Sequence, residues 1–166
     1  KKFNFKNKIT LFNQKVFYYK FNLMQPNFSW IGTRACKKNI LLGLQWLRNL
    51  KGRSYPFWRL DTFFSKKKYM NVEIIQDGGW HFTSIKKPEQ IHYKLSNFMH
   101  HLEFEESGLK VEDMVKMIKE KKILYDHSAK QEEAKYTGKQ KLIKVENSVL
   151  PEYIVNNFEK YKEWFD

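Results

Sequence analysis

This sequence predicts an α/β chain, and three observations lead there. Segments rich in β-branched and aromatic residues stand at 9–12, 15–24 and 71–76. Apolar residues recur at helical spacing over 39–50, 88–98 and 111–121. The two patterns alternate along the chain, with a last helical pattern at the end, as expected of mixed strands and helices around one core.

The elements follow in order. Residues 9–12 and 15–24 read as strands, and Asn13-Gln14 between them reads as the turn of a hairpin. Ile40, Leu44 and Leu47, with Leu41, Leu42 and Trp46 beside them, predict a wide-faced helix over 39–50 that Lys51-Gly52 ends. Val72 and Ile74 alternate with Glu73 and Ile75 over 71–76, which predicts a strand. Asp77-Gly78-Gly79 then signals a turn, because glycine accepts positive φ. Residues 80–85 read as the returning strand. Pro88 suits the first turn of a helix, where its missing N–H is not needed, and that helix runs to about Phe98 with Ile91 and Leu95 on one face. Val111, Met114, Val115 and Ile118 give the clearest helix, 111–121, with lysines crowding the end that its dipole makes negative. Residues 128–141 are polar and read as an exposed loop. A final helix starts at Pro151, with Ile154, Phe158, Tyr161 and Phe165 on one face.

No repeat and no Pro/Gly/Ser-rich linker interrupts the 166 residues, so 1–166 reads as a single domain part. Aromatic residues make up 17%, too many for a disordered segment. The first residue is Lys1, consistent with a processed chain or a piece of a longer one. There is no run of 18 apolar residues and no secretory leader pattern. One cysteine, Cys36, excludes a disulfide framework and a cysteine-based zinc site, and reads as a buried apolar residue or a free thiol in a reducing compartment. A cytoplasmic setting of bacterial type follows, with membrane association as its variant. The net charge of +13 points to nucleic acid, an anionic membrane or a phosphorylated substrate. Only four of the 31 basic residues are arginines, the usual residue for reading phosphates and bases in a fork, so nucleic acid is disfavoured.

Four clusters could carry chemistry. In Asp77-Gly78-Gly79-Trp80-His81-Phe82 the glycines admit a close backbone approach, the Trp can stack on a sugar, and the His can bind a metal or phosphate. The same residues also suit a plain tight hairpin. His100-His101-Leu102-Glu103 could supply metal ligands or a general base, although its spacing is not that of a helical H-E-x-x-H site. In Trp58-Arg59-Leu60-Asp61 the arginine could hold a phosphate or pair internally with Asp61. Tyr125-Asp126-His127 offers a lone Asp-His pair. There is no P-loop, dinucleotide fingerprint, G-x-S-x-G or D-x-D.

The order of several short motifs resembles glycosyltransferase family 17, the N-acetylglucosaminyltransferase family. They are the tyrosine-rich stretch Tyr18-Tyr19-Lys20-Phe21-Asn22, Trp30-Ile31-Gly32-Thr33, Arg59, Gly78-Gly79-Trp80-His81-Phe82, the segment from Lys94 to Glu103, and Leu150-Pro151-Glu152-Tyr153-Ile154 with Asn157. Gly-Gly-Trp-His-Phe followed by Phe…His-x-Glu is the most specific of these. The resemblance spans nearly the whole chain and implies the C-terminal portion of a GT-A-like nucleotide-sugar transferase, a mixed sheet with flanking helices. It implies inverting transfer of N-acetylglucosamine from UDP-GlcNAc to a hydroxyl of a glycan or saccharide acceptor. It also implies a divalent metal, Mn or Mg, whose main acidic ligands would precede Lys1. On that basis Glu103 or Asp77 would be the base, Trp80, Arg59, Gly78 and Gly79 would bind substrate, and His81 and His101 would lie at the metal. The competing reading is a non-enzymatic basic module for nucleic acid or an anionic membrane surface. A third is a degraded relative kept as an interaction part.

Overall fold

The computed structural model describes residues 9–70, 72–97, 101–126 and 133–166. Among them a mixed sheet of five strands is flanked by helices. Strand β1 is Ile9–Tyr18 and β2 is Leu23–Cys36. The link between them is too short for a crossover, so they form an antiparallel pair. The strand β3, Val72–Ile75, joins β1 in parallel from Ile9↔Val72 to Phe12↔Ile75. A fourth strand, β4 (Trp80–Thr83), also pairs with β1, and β5 (Ile143–Lys144) runs antiparallel to β2.

Three sequence expectations are corrected here. Asn13-Gln14 is not a turn, and β1 runs straight through it. The two amides are used across the sheet instead, Asn13 donating to Gln76 Oε1 at 2.8 Å and Gln14 to the Thr33 hydroxyl at 3.0 Å. The chain reverses later, beginning at Tyr19 with φ 63°. Nor is Asp77-Gly78-Gly79 a hairpin. The Lys15 N–H donates to Gly79 O and the Tyr19 N–H to Thr83 O, so β4 advances along β1 in the same direction as β3. The register slips between Phe12–Ile75 and Lys15–Gly79, which marks a bulge in a parallel edge. Asp77 at φ 51° and Gly79 at φ 137° make the kink. Finally, the helix expected over 39–50 is split. A 3₁₀ turn, Lys38–Ile40, precedes α1, Leu44–Asn49, and Gly43 between them takes φ 150°.

The contacts fall into two compact units. The first comprises residues up to Lys15 together with Ser29–Gly79. Its core is Ile9, Leu11 and Leu50, with Ile31, Trp46, Leu47 and Val72 packed on them and Cys36 partly buried beside them. The second comprises Val16–Phe28 and Trp80–Asp166. It contains α2 (Pro88–Ser96), α3 (His101–Ser107), α4 (Val111–Lys119), α5 (Glu152–Asn156) and α6 (Phe158–Tyr161). Pro88 does begin α2 and the amphipathic pattern does give α4. The C-terminal helix is broken at Asn157, whose φ −114° and ψ 33° leave the helical region. Helix α2 packs on α3 and α4. Their apolar faces meet the inner ends of β1 and β2 in a core of Val16, Tyr19, Leu23, Ile91, Phe104 and Met114. In 133–141 the polar stretch is not wholly exposed, since Tyr136 packs against this core. Phe98, His100 and His127 lie outside the described residues.

Candidate functional site

The second unit holds a cavity of about 950 Å3, near the upper end of the range for small-molecule sites. The tyrosine-rich end of β1 sets its frame. Tyr19 is buried, and its hydroxyl donates to Lys122 O at 3.1 Å while accepting the Leu124 N–H at 2.7 Å. Asn22 clamps the C-terminus, its amide donating to Asp166 O at 3.2 Å and its side-chain oxygen accepting the Asp166 N–H at 2.9 Å. The Phe21 N–H donates to Trp164 O at 2.8 Å, and Lys20 lies 5.8 Å from the Trp164 ring centroid. These bonds carry the last turn of the chain to the cavity, where Trp164 becomes part of the wall.

The polar and aromatic lining includes Tyr18, His81, Lys94, Tyr136, Tyr161 and Trp164, with Tyr125 beside them. Phe21 and Phe82, 5.2 Å apart edge to face, add an apolar wall. Tyr125 and Tyr136 meet edge to face at 5.1 Å. Such a wall offers ring faces for stacking, hydroxyls for hydrogen bonds, and cations for an acidic group. Burial raises the Tyr18 hydroxyl well above the ordinary tyrosine range, helped by Tyr19, Asp126 and Tyr125. Tyr136 is pushed up to about 12, first by burial and then by Tyr125 and Glu103. Both therefore remain hydroxyls near neutral pH, and that of Tyr18 donates to Tyr125 O at 3.3 Å. His81 is shifted down from the ordinary histidine value, first by burial and then by the Lys94 cation. It is neutral at pH 7, with one ring nitrogen to donate and one to accept.

The other expected site residues scatter. Trp80 is not a cavity residue, and its indole N–H donates to Val149 O at 2.6 Å. At Gly78 a Cβ would meet Phe12 Cβ at 2.9 Å and Ile75 O at 3.0 Å. The close approach is that of the chain's own strand β1. At Gly79 a Cβ would meet only the Gln14 side chain, nearest at Nε2, 3.3 Å away. Asp77 pairs with Lys15 at 3.1 Å and is 73% exposed. Arg59 takes the internal alternative. Its fork is engaged by Asp61 at 2.8 and 2.9 Å, and Lys68 reaches the same carboxylate at 2.5 Å. Glu103 pairs with Lys135 at 3.4 Å in a separate hollow of the second unit, and His101 opens α3 without lining the cavity.

The resemblance would place the main acidic ligands of a metal before Lys1, outside the described residues. Among the described residues no three His, Cys, Asp or Glu side chains group to hold an ion. The charge next to His81 is the Lys94 ammonium, which opposes a cation. The residues that sequence reasoning missed as wall are Tyr136, Tyr161 and Trp164. Their signal was only aromatic density in segments that read as a loop and a helix.

No helix among the described residues is long and apolar enough to cross a membrane. No family model matches the chain, and no curated protein or solved structure matches it.

Proposed function

We propose that the chain is the acceptor-side part of a glycosyltransferase of the family 17 type, and that the cavity of the second unit holds a saccharide. One observation carries the reading. Three separate segments quoted for the resemblance each send a side chain to the wall of one cavity: Tyr18, His81 and Lys94. Aromatic faces and neutral hydroxyls suit a pyranose ring, which is apolar on its faces and polar at its rim.

The reaction that this reading implies is inverting transfer of N-acetylglucosamine from UDP-GlcNAc. The acceptor hydroxyl oxygen forms a bond to the anomeric carbon. The bond from that carbon to the diphosphate oxygen breaks, and its electron pair leaves with the diphosphate. The hydroxyl proton passes to a base. His81 is the lining group suited to take it near neutral pH, because its imidazole is neutral there. Glu103 and Asp77, outside the cavity wall and each paired with a lysine, are less well placed. Lys94 would attract an acidic group on the ligand.

The test is transfer of labelled N-acetylglucosamine from UDP-GlcNAc to a soluble oligosaccharide by the intact enzyme that contains this part, active as the parent and compared with its His81→Ala variant. The expected loss in kcat is on the order of 10²-fold or more, with unchanged near-ultraviolet circular dichroism. Equal turnover in the two proteins removes His81 from the chemistry.

A further inference from the structure

A second feature, wholly within the first unit, has no part in the saccharide site. Between Lys51 and Lys68 the chain makes a closed loop. Its ends are tied by the Lys51 N–H donating to Lys67 O at 2.8 Å and the Tyr55 N–H to Tyr69 O at 3.2 Å. Tyr55 is buried beneath it, with the Arg53 guanidinium 4.8 Å from its ring centroid. The Arg59–Asp61–Lys68 pairs and the Thr62 hydroxyl, which donates to Arg59 O at 2.7 Å, hold the middle. The loop is therefore internally braced, yet its large apolar side chains point outward. Phe57, Trp58, Leu60, Phe63 and Phe64 are between 66% and 92% exposed. Five such residues within eight positions exceed the scattered apolar exposure that a surface ordinarily carries.

Charge decides what this loop suits. Lys51, Arg53, Arg59, Lys66, Lys67 and Lys68 stand in it against a single acid, Asp61, which is already paired with two of them. A second copy of the same loop would be repelled. A nucleic acid would satisfy the cations but leave Leu60 and the Phe63-Phe64 pair without use, since phosphates offer them nothing. A bilayer interface with anionic lipid satisfies both sets at once. Aromatic and aliphatic side chains enter the headgroup–acyl boundary, and lysines at their margin meet lipid phosphates. We infer that the loop 51–68 docks the protein on an anionic lipid surface, with Phe57, Trp58, Leu60, Phe63 and Phe64 inserted and Lys66, Lys67 and Lys68 on the headgroups.

The experiment is co-sedimentation of the 166-residue chain with vesicles of phosphatidylcholine alone and of phosphatidylcholine with about one third phosphatidylglycerol. Binding is expected to the anionic vesicles only. F63S/F64S should weaken it about tenfold or more. K66A/K67A/K68A should weaken it on the order of 100-fold, and added salt should weaken it further. Near-ultraviolet circular dichroism unchanged from the parent is the expected result for both variants. No binding to anionic vesicles overturns the inference. So does binding that F63S/F64S leaves unchanged, since the lysine-rich surface alone would then explain it. A concentration-dependent dimer in sedimentation velocity that F63S/F64S abolishes assigns the loop to a second copy instead. Tighter binding to an oligonucleotide than to the vesicles, lost in the same variants, assigns it to nucleic acid.

Discussion

At the residue scale, the motif side chains divide into those that build the cavity and those that face it. Tyr19 and Asn22 build it. The Tyr19 hydroxyl satisfies two backbone groups, the part-buried Lys122 O and the buried Leu124 N–H, so Tyr19→Phe removes that partner from both. The expected cost is roughly 2 kcal/mol or more, read from urea unfolding. A loss below about 0.5 kcal/mol, the range of an ordinary surface change, would show that those groups find other partners. His81 faces the cavity, and its depressed proton affinity has a consequence for stability. The unfolded chain binds a proton near the ordinary value of about 6.5, while the folded chain resists it. Stability from this group is therefore fully present above pH 6.5 and falls as the pH drops toward the lower folded value. His81→Gln should flatten that part of the unfolding profile between pH 7 and 5, and an unchanged slope would place the titration elsewhere.

At the scale of elements, the bulge between β3 and β4 is the feature on which the fold turns. Gly78 lies against the β1 backbone at Phe12, and its N–H donates to Asn13 O at 2.8 Å. A methyl group there must push backbone and not a movable side-chain tip, so Gly78→Ala should cost about 1–3 kcal/mol. Thermal unfolding checks this, and a midpoint unchanged from the parent would mean that β1 yields freely. The same bulge shows why the sequence was only partly readable. Pro88 at a helix start and the Val111, Met114, Val115, Ile118 stripe are local signals, and the helices form where they stand. Asp-Gly-Gly reports that the backbone enters left-handed space but not which strand lies next to it. A hairpin turn and a kink in a parallel edge therefore read alike. Asn13-Gln14 misleads for a related reason: amides that favour turns also bond across strands, and here they bond to Gln76 and Thr33. The site was legible to the same degree. His81 could be singled out from its own motif, whereas Tyr136 and Trp164 become cavity wall through contacts distant in sequence, which no local pattern records.

For the whole molecule, the net charge of +13 concerns partners and not fold. Much of it is a solvated lysine surface, and two places give it an argued use. Lys94 lies in the cavity of the second unit, and the lysines of the loop 51–68 surround exposed aromatic side chains in the first. These are separable properties. Saccharide binding should survive F63S/F64S, and vesicle binding should survive His81→Ala. Loss of both activities in either variant would point to a shared folding defect, which circular dichroism would reveal.

The measurement that bears most directly on the central claim is saturation-transfer NMR of the chain with an N-acetylglucosamine oligosaccharide, before and after replacing Trp164 and His81 with alanine. The account predicts transfer to the ring and acetyl protons of the sugar in the parent and its loss in both folded variants. No transfer in the parent, or undiminished transfer in both variants, would contradict a saccharide site in this cavity.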